Sequence, residues 1–144
     1  MAKNCGKTTT LNALAAAAAV APADLRRSVG VTSAGRDGEL FDAITGFAKP
    51  PVQLPAGALV AMAELTLQSA TCDLEVLVRT GLITGAGEIV IARARRSGIV
   101  EVFGCTRATD LTAALSALEA AGAGLCFVDG AAGRTFLASP DVAD

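Results

Sequence analysis

The sequence predicts an α/β domain: a mostly parallel sheet with flanking helices, plus one antiparallel hairpin near residues 89–103. Three observations lead there. Helical and extended segments alternate along the chain, as they do where strands are joined by helical crossovers. Gly6-Lys7-Thr8 opens a helix directly from a glycine turn. A short apolar run near the C-terminal end, "LCFV", stops at Asp129 like a buried strand. At 144 residues the chain suits one domain and can bury a sizeable core.

Taken in order, residues 7–20 read as a helix that leaves the Gly6 turn and stops near Pro22, with a short turn at 24–27. "SVGVTS" (28–33) reads as a strand and "AGRDGE" (34–39) as a polar turn. "FAKPPVQLPAG" contains three prolines and can hold only a short extended piece. Residues 58–69 carry Leu59, Met62, Ala63, Leu65 and Leu67 in a mixed pattern and are expected to be helical. "DLEVLVRT" (73–80) fits a short helix or a strand.

In "EIVIARARRSGIVEVFG" two alternating runs flank Arg96-Ser97-Gly98, which predicts a tight hairpin. Alternation puts Ile89, Ile91, Arg93 and Arg95 on one face, so these arginines end a strand and form no patch. Thr109-Asp110 is expected to cap a helix with Leu111, Ala114, Leu115, Leu118 and Ala121 on one stripe, closed by Gly122 or Gly124.

Composition excludes several classes. Twelve basic and 14 acidic residues give a net charge of −2, which leaves no broad basic face for nucleic acid. With five Phe and no Trp or Tyr, stacking platforms for single strands are not expected either. No membrane span is expected, because the alanine-rich run at 11–23 is short and broken by Pro22. A signal peptide fits poorly, since Asn4, Thr8, Thr9, Thr10 and Asn12 interrupt its apolar region. Cys5, Cys72, Cys105 and Cys126 show no C-x-x-C pair and read as small apolar fillers in a reducing compartment. A cytoplasmic protein is expected.

The chemistry concentrates in three places. Asn4, Cys5, Gly6, Lys7, Thr8 and Thr9 match the second half of a phosphate-binding loop, whose backbone N–H groups converge on phosphate oxygens. There Lys7 would bridge the outer phosphates and the Thr8 hydroxyl would join the shell of a magnesium ion. The bland reading is an ordinary helix start. Asp129, at a strand end, is the second expected magnesium contact, although Asp also ends many strands at plain turns. In "TSAGRDGE", Asp37 is the candidate for touching the metal or orienting an attacking water, Glu39 the second choice, and Arg36 a phosphate contact. That segment reads equally well as a solvated turn.

Together "AKNCGKTTTLN", "GVTSAGRDGE", "AKPP", "TGLITGAGEIVIARAR" and "LCFVDGAAGRTFLASP" resemble, in order and over nearly the whole chain, the phosphate-loop reactivase subunit associated with lysine 5,6-aminomutase. Lys49-Pro50 and the general layout also resemble dethiobiotin synthetase-like ATPases. The resemblance implies a P-loop NTPase-like fold, ATP and Mg2+ as ligands, and a partner: a cobalamin-dependent aminomutase or a second reactivase subunit. The first glycine and the strand of the loop pattern would precede Met1, so the chain is expected to begin inside its site and to stop short of a final strand. Alone, it is expected to be marginally stable and to self-associate. The expected function is ATP hydrolysis used to remodel the partner. Two alternatives stay open: an ATP-dependent small-molecule ligase or kinase, and a non-catalytic interaction subunit.

Overall fold

The computed structural model describes residues 6–23, 27–37 and 51–130. In chain order its elements are α1 (Lys7–Val20), β1 (Val29–Ser33), β2 (Arg36–Asp37), β3 (Val52–Leu54) and β4 (Leu59–Ala63). A 3₁₀ turn (Glu64–Ser69) leads into β5 (Leu74–Thr84), β6 (Gly87–Ala94), β7 (Gly98–Val100), β8 (Val102–Phe103), α2 (Ala108–Ala120) and β9 (Leu125–Asp129). The expected turn at 24–27 and the "AKPP" segment fall largely outside the described residues, as do Asn4, Cys5, Glu39 and everything after Gly130.

A five-stranded sheet in the order β5-β6-β4-β1-β9 forms the middle of the molecule, with two small ribbons, β2-β8 and β3-β7, beside it. Among the described residues only β1-β4 and β1-β9 are parallel. The pairs β2-β8, β3-β7, β4-β6 and β5-β6 are antiparallel. The expectation of a mostly parallel, P-loop NTPase-like sheet is therefore wrong; the sheet is mixed. The reason is connectivity. A parallel neighbour needs a long crossover, usually a helix, and no α-helix stands between β1 and α2 among the described residues.

Two local expectations fail for related reasons. Residues 58–69 do not form a helix: β4 is buried on both faces, so its apolar residues show no alternation, and the 3₁₀ turn continues the run. The hairpin is not at 89–103 but one element earlier, where β5 meets β6 through Gly85-Ala86, with Thr84 opposite Gly87. β6 already has β4 and β5 on its two edges, so β7 pairs instead with β3, Val100 opposite Val52. "DLEVLVRT" thus resolves as a strand.

The core lies on both sides of the sheet. Towards α1, Leu11 and Ala15 pack with Val29, Val31, Val60 and Met62. Towards α2, Leu111, Ala114 and Leu118 pack with Leu59, Ala61, Ile89 and Ile91. β4 contributes alternate residues to both sides, as a central strand must. The stripe predicted on α2 is real, and the helix ends at Gly122, whose φ of 108° suits glycine. Its N-cap is Arg107 with no side-chain bond, however, so Thr109 and Asp110 lie inside the first turn and do not cap it. α1 buries only Leu11 and Ala15, and Leu14 and Val20 face outward. Cys72 and Cys105 are buried and Cys126 is half-buried, all as free thiols. Burial, and secondarily Asp110, pushes the Cys105 thiol up to about 11, which fits a packing role over a reactive one. Among the described residues no helix is long and apolar enough to cross a membrane.

Candidate phosphate-binding site

α1 starts at a residue only glycine holds comfortably. Gly6 has φ 78° and ψ 17°, the left-handed region, and from it the chain turns straight into the helix. The first intrahelical bond runs from the Thr10 N–H to the Gly6 carbonyl at 2.9 Å, and the Thr10 hydroxyl donates to the same oxygen at 3.0 Å. No side chain caps this end and its first turn carries no acidic residue. The positive end of the helix dipole, with its outward N–H groups, is thus not neutralised by a side chain of the turn itself.

Asp129 meets this turn from the sheet. β1 and β9 run parallel with Val31 opposite Phe127 and Ser33 opposite Asp129. Residues that pair in this way share a face of the sheet. Val31 packs against α1, which puts Asp129 on that same side. Its Oδ2 accepts the Thr8 hydroxyl at 2.8 Å, a contact spanning 121 positions of sequence. Its Oδ1 accepts the Gly130 N–H at 2.9 Å. Asp129 is only 5% exposed, so the carboxylate is held in place by these two donors and by strand pairing. A carboxylate has about four lone-pair sites, so capacity to bind a cation remains.

Lys7 completes the cluster. Its Nζ is fully enclosed and has no hydrogen-bond partner among the described residues. Polar groups buried in this way are rare, and one without a partner asks for an explanation. An anion seated at the helix end would supply it.

The sequence-predicted residues therefore divide. Thr8, in the α1 turn that Gly6 opens, meets Asp129 at one end of the sheet, and Lys7 adjoins it in sequence with its amine enclosed. Thr9 is exposed in the first turn. Asn4, Cys5 and Glu39 lie outside the described residues. Arg36 and Asp37 form β2, where Asp37 pairs with Val102 through the backbone and their side chains lie outside the described part. β2 follows Gly35, just beyond the end of β1 that carries the site.

A further polar residue lies beside the cluster. Ser33 ends β1 in register with Asp129 and is completely buried. The signal for it is the polar pair "TS" closing an otherwise apolar strand, a pattern that has a plain structural use as well.

The donor set fits magnesium and a phosphate chain. Thr8 and Asp129 offer hard oxygens, and Lys7 with the helix N–H groups offers positive charge. No group of three or more His, Cys, Asp or Glu forms a metal site among the described residues. Comparison of the chain with protein families, with curated proteins and with solved structures finds no match.

Proposed function

We propose that the chain binds ATP with Mg2+ at the N-terminus of α1 and hydrolyses it to drive remodelling of a partner enzyme, a cobalamin-dependent aminomutase. The observation that carries the nucleotide part is the enclosed, unpartnered Lys7 amine on the turn whose next residue bonds to Asp129. The mixed sheet gives this reading no support from fold analogy, and none is needed, because function follows from local geometry.

Each residue then has a role. The N–H groups of the α1 turn hold the phosphate chain, and Gly6 lets the backbone approach it without a side chain in the way. Lys7 neutralises charge on the outer phosphates, which rises as the terminal bond breaks. Thr8 and Asp129 would hold the cation, which would offset phosphate charge. Water attacks the terminal phosphorus, the bond to the bridging oxygen breaks, and ADP leaves with inorganic phosphate. We assign Asp37 to orienting that water, because β2 leaves the end of β1 beside the site. ATP as ligand implies a cytoplasmic setting.

The aminomutase partner rests on the sequence resemblance. Purified chain should hydrolyse ATP slowly alone and several-fold faster with the aminomutase, read as phosphate release. A rate that ignores the mutase but rises with a diffusible acid or amine substrate would move the assignment to a ligase or kinase. ATP binding with no turnover under either condition would leave an interaction subunit.

A further inference from the structure

The two helices that cover the sheet differ in what they turn outward. α2 buries Leu111, Ala114 and Leu118 and exposes Thr109, Thr112, Ser116 and Glu119, the division expected of a surface helix. α1 has no such division. Every residue from Ala13 to Val20 is alanine, leucine or valine, yet the helix buries only Leu11 and Ala15. Ala13, Ala16 and Ala17 are exposed, Leu14 by 50% and Val20 by 78%. A helix that is apolar all round is ordinarily buried all round, so this face calls for a cover.

Shape and charge fit a second copy of the chain. At about 3.6 residues per turn, Ala17 lies in the middle of the exposed face. Leu14 and Val20, its two large side chains, stand three residues before and after that centre. A two-fold axis at Ala17 therefore sets two α1 helices antiparallel, with alanine against alanine at the crossing. Leu14 of each copy is then level with Val20 of the other, and the small central residues let the helices approach closely. A contact of this symmetry places groups near their own copies, so any charge on it would meet the same charge. No Lys, Arg, Asp or Glu occurs from Thr8 to Ala23. The uncharged surface continues beside Val20 into a groove of about 440 Å³ between α1 and the β3-β7 ribbon, where Pro55 and Ile99 form part of the wall.

We propose that α1 is the interface of a homodimer, packed antiparallel on α1 of a second copy about a two-fold axis at Ala17. Two helix turns and the edge of a groove make a contact smaller than the ~800 Å² per partner of a standard stable interface. The dimer is accordingly weak and dissociates on dilution. The turn at Lys7 stays clear of it, since ten residues of helix separate Lys7 from Ala17, about 15 Å. The dimer is thus independent of the nucleotide reading.

The test is sedimentation equilibrium of the full chain over a wide concentration range, without nucleotide. Wild type should pass from monomer to dimer as concentration rises, with a dissociation constant on the order of 10–100 µM. Ala17→Glu sets two like charges on the axis and should remain monomeric throughout, with the wild-type melting temperature in dilute solution. Ala17→Cys should cross-link to a dimer under mild oxidation, because the crossing brings the two residues within disulfide reach. Ala113→Cys, on the exposed face of α2, should cross-link no more than wild type. A wild-type chain that stays monomeric at every concentration, a dimer that survives Ala17→Glu, or equal cross-linking through residues 17 and 113 would overturn the proposal.

Discussion

Replacing Lys7 with Met should raise the melting temperature of the ligand-free protein and at the same time remove its affinity for ATP. The two effects have one cause. The Lys7 Nζ is enclosed with no hydrogen-bond partner among the described residues, an arrangement that costs stability. An unsatisfied buried donor costs about 1–3 kcal/mol. Methionine keeps a similar length and helix propensity without the polar head. For a chain of this size each kcal/mol moves the midpoint by roughly 2–4 °C, so a rise of several degrees is expected by scanning fluorimetry with an added dye. A contact between an amine and a phosphate is charge-assisted and strong, and its loss should weaken ATP on the order of 100-fold by calorimetry. Stability gained where function is lost is the usual mark of a residue kept for its ligand. A variant that melts lower and binds ATP as wild type does would show that Lys7 is a structural side chain.

The second large effect concerns the bond between Thr8 and Asp129, which ties α1 to β9. Asp129→Ala should destabilise the fold by about 1–3 kcal/mol, since it strands the Thr8 hydroxyl and the Gly130 N–H. It should also abolish the dependence of ATP affinity on Mg2+, because the acceptor charge beside the cation is gone. Thr8→Val alone should lose less stability. The two changes should couple in a double-mutant cycle by about 0.5–3 kcal/mol, the range for residues in direct contact. Additive losses in urea melts would mean that the bond does not link helix and strand in solution.

Much of the chain could be read from its sequence, and the failures share a cause. α1 announces itself through Gly6 and a run of alanines, α2 through its apolar stripe, and β1 and β9 through short apolar runs closed by polar residues. These signals are local. What the sequence does not carry is which edge meets which. β4 has apolar residues on both faces because it lies between β6 and β1, and that removes the alternation by which a strand is recognised. Residues 96–98 have turn chemistry, yet the flanking strands cannot pair because β6 has no free edge. The hairpin instead turns at Gly85-Ala86, with Thr84 opposite Gly87.

The candidate site divides along the same line. Lys7, Thr8 and Asp129 belong to local patterns, a glycine turn at a helix start and an acid at a strand end. Ser33 becomes visible only when β1 and β9 are set in register, because its neighbour in space lies 96 positions away. The sheet is mixed where a mostly parallel one is expected, because the pairing of β4, β5 and β6 is antiparallel. Among the described residues the parallel pairs are β1-β4 and β1-β9, and β9 ends at Asp129 of the site.

The central claim is that nucleotide phosphates occupy the turn at the start of α1. Hydrogen–deuterium exchange of the full chain with and without MgATP tests it most directly, because it reports where the ligand protects backbone amides. Protection should appear in peptides covering residues 6–12 and 125–130, the segments that carry Lys7, Thr8 and Asp129, and should be absent from the β5-β6 hairpin. Protection confined to other segments, with residues 6–12 exchanging as in the free protein, would contradict it.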